Sequence, residues 1–273
     1  MVCEWIYAES VNQCFSSVWL REPRAAKSST LSRAQIVRVA VQLLDAEGLE
    51  ALSMRRLATR LGSGATSIYW HVATKDDLLE LVLDEVYGGF TVLDVEETTW
   101  RNAASSFAYG MRQILLQHPW AINLVGKVPS IGPNAMRILS RLIRTFEHAG
   151  FRDIDQHYAA SALMSYVAGV TAPEISWNAA LDRSGLDSNE WNAAMQPTVR
   201  RAAADYPELV ARYAEFSEMD VDTSRALNFE FGLTCLLDGL EARLNRSIPP
   251  PADPPAAPDA RSGARGDGGT IGG

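Results

Sequence analysis

The stretch LSMRRLATRLGSGATSIYWHV, residues 52–72, decides the fold. It reads as two short helices joined by a tight turn. Ser53 caps the first helix, Leu57 and Leu61 fall on its inner face, and Gly62-Ser63-Gly64 ends it. The second helix covers about 65–71. Two short helices crossing steeply need a small residue at the elbow, and Ala58 is placed there. With Leu57, Leu61, Ile68 and Val72 turned inward, Thr66, Ser67, Tyr69, Trp70 and His71 lie mostly on one outward side. Short hydroxyls and aromatic edges suit base edges, thymine methyls and phosphates. Periodicity alone also allows Tyr69, Trp70 and His71 to pack between helices.

The flanking sequence completes a small helical module. Ser32-Arg33-Ala34-Gln35 has capping-box spacing and opens a helix with Ile36, Ala40, Leu43 and Leu44 on one face. Gly48 suits a left-handed cap at its end. Thr74-x-x-Asp77 is a second capping box, and its helix runs through Leu78, Leu79, Val82 and Val86 to Gly88-Gly89. Arg55 and Arg56 occupy the first turn of the second helix, where the macrodipole disfavours cations. Lys75 repeats that placement at the fourth helix. Basic side chains set against this preference point to an anionic partner, and phosphate is the obvious one. Ser53, Arg55, Arg56, Thr66, Ser67, Tyr69, Trp70, His71 and Lys75 therefore form the candidate DNA-binding set.

Charge is divided unevenly along the chain. The 273 residues carry a net charge of −8, which is unusual for a DNA binder. Residues 21–75, however, hold nine basic and four acidic side chains, a net +5, against −13 for the remainder. A positive module on an acidic body draws phosphate to one face and repels it elsewhere. An ordinary fluctuation in charge gives the same numbers, so the partition supports the motif and does not replace it.

Beyond residue 90 the periodicity stays helical, with segments expected at about 100–117, 120–126, 133–149, 154–178, 189–204, 206–217 and 222–246. No alternating strand and no internal repeat stands out. The expected fold class is all-α: a three-helix helix-turn-helix module (31–90, with its connecting helix) joined to a larger helical bundle (95–246). Residues 1–30 carry Trp5, Phe15 and Trp19 before a polar run; an amphipathic helix, an arm and an upstream extension all fit them. Residues 247–273 hold twelve Pro or Gly and no aromatic residue, a composition expected to be disordered. There is no apolar run of membrane-spanning length and no basic n-region with a cleavage site, so neither a membrane span nor a leader is expected. Cys3, Cys14 and Cys235 lack metal-ligand spacing, which fits a reducing, cytoplasmic setting.

With these residues in place, Leu31–Phe90 resembles the DNA-binding region of the tetracycline-repressor (TetR) family of bacterial regulators. The resemblance is carried by the helix from Ser32 to Gly48, Leu52-Ser53-Met54-Arg55-Arg56-Leu57-Ala58, Leu61-Gly62, and Ile68-Tyr69-Trp70-His71-Val72 followed by Lys75-x-x-Leu78-Leu79. The Tyr-Trp-His-Val string is similar to the tetracycline-repressor branch. The resemblance implies DNA contact at Arg55, Thr66, Ser67, Tyr69, Trp70, His71 and Lys75. Ala65, Gly64 and Ala73 depart from the branch, so the motif describes docking better than the operator sequence read.

Residues 95–248 resemble the family's ligand-binding and dimerisation domain more loosely, through His118-Pro119-Trp120 and Gly132-Pro133-Asn134. The resemblance implies a small-molecule pocket, for which Phe107, Ile114, Trp120, Met136, Phe146, Met164 and Trp177 are the candidate lining. Any one of them is more often plain core than ligand wall. Ala121–Gly126 lacks the histidine through which the founding member binds its magnesium-bearing drug, so no metal and no cofactor is expected. Residues 155–177 and 224–246 place Tyr158, Tyr166, Leu227, Phe231, Leu233, Leu236, Leu237 and Leu240 for a four-helix interface between two copies, and the same pattern also fits the core of a single copy. A homodimer also suits a palindromic double-stranded operator, whose half-sites lie about 34–36 Å apart.

The leading expectation is a repressor released from its operator by a small, largely apolar effector. An architectural or partner-controlled DNA binder without an effector is the alternative, and an open cavity in the bundle separates the two. No nucleophile elbow, phosphate-cradling loop or paired catalytic carboxylates points to an enzyme.

Overall fold

Helix boundaries in the N-terminal module are set by hydroxyl caps. In the computed structural model, which describes residues 17–21, 31–217 and 219–247, Ser32 Oγ accepts from the Gln35 amide (3.2 Å) and opens α1, Arg33–Glu47. Ser53 Oγ accepts from the Arg56 amide (3.2 Å) at the start of α2, Met54–Arg60. After Gly62, at φ +61°, follows α3, Ala65–His71. Thr74 and Asp77 exchange both bonds of a capping box (3.0 and 3.1 Å) and open α4, Lys75–Tyr87. At Ser32 only the serine half of the expected box forms. Gly48 has the positive φ expected of it, but with ψ 178° it leads into a 3-10 turn, Leu49–Ala51, not into a left-handed cap.

The module closes around Ile36, Ala40, Leu43, Leu44, Leu57, Ile68 and Val72, all buried. Ala58 is buried at the elbow, whereas Leu61 stays half-exposed as the C-cap of α2.

The C-terminal bundle comprises α5 (Trp100–Gln117), α6 (Pro133–Ala149), α7 (Asp155–Ser184), α8 (Ser188–Ala202), α9 (Pro207–Ser217) and α10 (Val221–Ser247). The described residues contain no strand. Helix α7 packs against α5, α6 and α10 and forms the centre of the bundle. It runs past the expected end at 178 because Ala179, Ala180 and Leu181 favour helix, and the first left-handed glycine is Gly185, at φ +70°. The segment expected as a helix at 120–126 is a 3-10 turn, Pro119–Asn123. Residues 1–16, 22–30 and 248–273 lie outside the described set, and with them most of the N-terminal extension and nearly all of the Pro/Gly-rich tail.

Helix α4 joins the two parts and is buried on nearly every side, from Asp77 to Asp84 without interruption. Asp77, Glu80 and Asp84 share one face by their spacing and are only 2%, 3% and 5% exposed. Carboxylates at such depth require partners. Arg21 Nη1 pairs with Asp77 (2.6 Å), and Ser17 Oγ donates to Glu80. Asp84 accepts from the backbone amides of Asn134 (3.3 Å) and Ala135 (2.9 Å), the first turn of α6. Thus 17–21, a segment the sequence left undecided, docks on the connecting helix with Val18 buried. Gly132 is the N-cap of α6, and a Cβ there would collide with the Asp84 carboxylate and sit 2.6 Å from the Trp19 ring.

Two outcomes follow from this face of α4. Gly132→Ala should destabilise the fold by about 1–3 kcal/mol, read by thermal or urea denaturation, because the neighbouring carboxylate and indole must move. Burial pushes the Glu80 carboxyl above its ordinary value, while Ser17 and Arg21 act against the rise and Asp77 adds to it. A raised native pKa means the folded state binds more protons just above the ordinary carboxylate value, so stability falls as pH rises through that window. Glu80→Gln should therefore flatten the pH dependence of Tm above about pH 4.5 and hold or raise Tm at neutral pH. A mutant that melts lower at pH 7 with the slope unchanged would contradict this account.

Candidate nucleic-acid interface and effector cavity

The outer side of α3 is built as the sequence predicts. Ile68 is buried, and around it Thr66, Ser67, Tyr69 and Trp70 are exposed, Trp70 by 60%. An exposed tryptophan beside two hydroxyl residues is a contact surface suited to a polar partner with an apolar edge, such as a DNA groove. Arg33 Nε donates to the carbonyl oxygen of half-buried His71 (3.3 Å), so α1 fixes the C-terminal end of the recognition helix. Ala65 is half-buried and packs against the core, in keeping with a residue that does not read bases.

The cations around α3 differ in what they can offer to phosphate. Arg55 and Lys75 are exposed and make no ion pair among the described residues. Arg56 instead forms an ion pair with Glu47 of α1, and Arg60 binds the same carboxylate at 2.8 Å. That clamp ties α2 to α1 and reduces the charge Arg56 presents outward. Ser53 is exposed, but its hydroxyl is engaged as the cap of α2. The clamp was invisible in the sequence because Glu47 and Arg56 belong to different helices.

Sequence reasoning also missed a junction between the two parts of the molecule. Asp45 Oδ1, near the end of α1, receives Trp120 Nε1 at 2.7 Å and lies 2.7 Å from His118 Nδ1. Trp120 is 4% exposed and sits in the 3-10 turn that follows α5. One carboxylate thus ties the helix-turn-helix module to the bundle.

The residues expected to line a pocket separate into three groups. Phe107, Ile114, Trp120 and Phe146 are buried core side chains, with Phe146 packed against Trp100 and Phe151. Met136 and Met164 lie on the surface, 40% and 38% exposed. Trp177 does line a cavity of about 430 Å³, which opens between α7, α8 and α10. The cavity lies farther along α7 than the sequence suggested, because α7 carries its second half past Pro173. On its wall, Glu174 takes two bonds from Arg112 Nη2 of α5 (2.9 and 2.8 Å). Among the described residues no group of three or more His, Cys, Asp or Glu is placed to hold a metal, and no helix is long and apolar enough to cross a membrane.

Comparison with known proteins agrees with this architecture. Residues 36–82 match the bacterial regulatory proteins of the tetR family, and residues 94–244 match the tetracyclin repressor-like C-terminal domain. An HTH-type transcriptional regulator of Saccharopolyspora erythraea is 37% identical over 198 residues, covering 72% of this chain and 81% of the relative. The HTH-type transcriptional repressor DrrR1 of Streptomyces coeruleorubidus is 33% identical over 224 residues, covering 81% of each. The crystal structure of the Streptomyces coelicolor TetR family protein ActR in complex with actinorhodin superposes with a TM-score of 0.67 at 28% identity, covering 79% of this chain and 99% of that one. With both domains matched and the recognition helix exposed, the chain belongs to the TetR family of bacterial transcriptional regulators.

Proposed function

We propose that the chain is a cytoplasmic repressor that binds a palindromic operator as a homodimer and is released by a small, largely apolar effector. The observation that carries this reading is the pairing of an exposed Tyr69-Trp70 recognition surface with an open cavity in the bundle. A purely architectural DNA binder has no use for such a cavity, and the homology to a named repressor supports the same choice. Tyr158 on α7 and Leu227 and Phe231 on α10 are 63%, 52% and 72% exposed, a set of apolar side chains suited to a second copy. Leu233, Leu237 and Leu240, which the sequence offered for the same purpose, are buried within the protomer.

The geometry suggests how cavity and DNA surface communicate. Glu174 on the cavity wall holds Arg112 of α5, and six residues further along, about 9 Å by helical rise, α5 ends at His118. His118 and Trp120 hold Asp45 of α1. A shift of α5 against α7 is therefore transmitted to the module that carries α3. To move a regulator from 1:99 to 99:1, the effector must prefer the released state by about 10⁴-fold.

Titration against palindromic DNA flanking its own gene tests the reading, with and without candidate effectors. A specific complex at modest salt is expected; its absence on every palindrome would sink the repressor reading. Within that assay, Lys75→Ala should weaken binding to all sequences and flatten the log–log salt dependence by about 0.9 if Lys75 neutralises one phosphate. An unchanged slope would remove Lys75 from the phosphate-binding set. For the link between the two parts, Asp45→Ala and Trp120→Phe should each cost about 1–3 kcal/mol of stability, and the double variant much less than their sum. Strict additivity in that cycle would mean the two residues are not energetically joined.

A further inference from the structure

The cavity between α7, α8 and α10 has an apolar wall of Val170, Pro173, Trp177, Met219 and Val221. Its volume, about 430 Å³, falls within the range of small-molecule sites. Two features of its polar groups restrict what it can hold. The indole N–H of Trp177 is buried and has no hydrogen-bond partner among the described residues. Trp191 lies edge-on to Trp177, centroids 5.8 Å apart, and its own buried N–H is in the same condition. Both nitrogens are closed off from solvent, so what Trp177 offers the cavity is its ring.

The second feature is charge. Among the described residues, Glu174 and Arg225 are the ionic groups on the cavity wall. Glu174 is only 13% exposed, and Arg112 of α5 binds both of its oxygens. Arg225 is also largely buried, 17% exposed, but its partner Asp222 is 3.5 Å away and 87% exposed. A solvated carboxylate at that distance offsets little of a buried guanidinium's charge. Among the described residues the cavity therefore presents an answered anion and an under-answered cation, set in apolar and polarizable walls.

Building on the effector-released reading above, we infer that this cavity takes an aromatic organic anion, held by the Arg225 guanidinium. Trp177 and the Met219 thioether contact the apolar body, an arrangement favourable to an aromatic ring. Asn228 and Ser224, on the same helix as Arg225, supply the remaining polar contacts. An organic cation is disfavoured, since Glu174 would have to leave Arg112 to meet it.

A matched pair of fluorescent probes separates charge from apolarity: 1-anilinonaphthalene-8-sulfonate and uncharged N-phenyl-1-naphthylamine share one aromatic frame. Both are titrated into the full-length protein. The sulfonate is expected to bind one site per protomer. Arg225→Gln should weaken it about tenfold, the worth of one charge-assisted hydrogen bond, and leave the neutral probe within about twofold. Should Arg225→Gln fail to fold by its melting curve, Asn228→Asp places a carboxylate on the same wall and should repel the sulfonate selectively. Equal weakening of the two probes, or an unchanged sulfonate affinity, would overturn the inference. Operator binding without probe is measured in parallel. An operator-competent protein whose sulfonate binding is indifferent to these substitutions defeats only the inference, whereas no operator binding at all defeats the repressor reading.

Discussion

Helix α4 is buried almost all round, yet Asp77, Glu80 and Asp84 give it three carboxylates on one face. Isolated buried charges of this kind would not be tolerated, so neighbouring elements must arrive with donors. Arg21 and Ser17 come from the N-terminal segment, and the amides of Asn134 and Ala135 come from the start of α6. The placement of the helix-turn-helix on the bundle depends on this face, because apolar packing is non-directional and leaves sliding cheap. Hydrogen bonds to fixed amides do not slide, and they tie α4 to the start of α6.

The second fixed point, Asp45 between His118 and Trp120, belongs to α1. Two attachments define an axis where one would leave a swivel. Motion of the DNA-binding module is thereby limited to what α5 and α6 allow, and both helices pack on α7. Helix α7 is where the cavity and the exposed apolar set meet, with Trp177 toward its C-terminal end and Tyr158 near its start. Signals from a bound molecule and from a second copy would converge on one continuous helix.

Much of this was legible in the sequence, for physical reasons that differ by region. Helix ends were readable because hydroxyl caps and glycines act over three or four residues: α3, α5 and α6 run over the residues their periodicity indicated. The outward set on α3 was readable because helical spacing alone separates Ile68 from Tyr69 and Trp70. What escaped was every property that depends on a distant partner. Asp77, Glu80 and Asp84 look like a solvated face until Ser17, Arg21 and α6 are brought to them. Arg56 looks free until Glu47 is placed beside it. The cavity escaped for a related reason, since Arg225, Asn228 and Ser224 read as the polar side of an amphipathic helix. Phe107 and Phe146 read as pocket lining only because any large apolar residue can serve as either wall or filling.

The face shared by α4 and α6 also bears on how such regulators evolve. Recombination that joined this DNA-reading module to a foreign sensor domain within 88–99 would strand Asp84 without the amides of Asn134 and Ala135, and Asp45 without Trp120. The heritable unit is therefore larger than the three-helix reader. It includes Ser17–Arg21 upstream and, on the sensor side, the few residues that answer those two carboxylates. Drift elsewhere in the bundle can retune the effector while those positions, rather than the recognition helix, limit which domains can be exchanged.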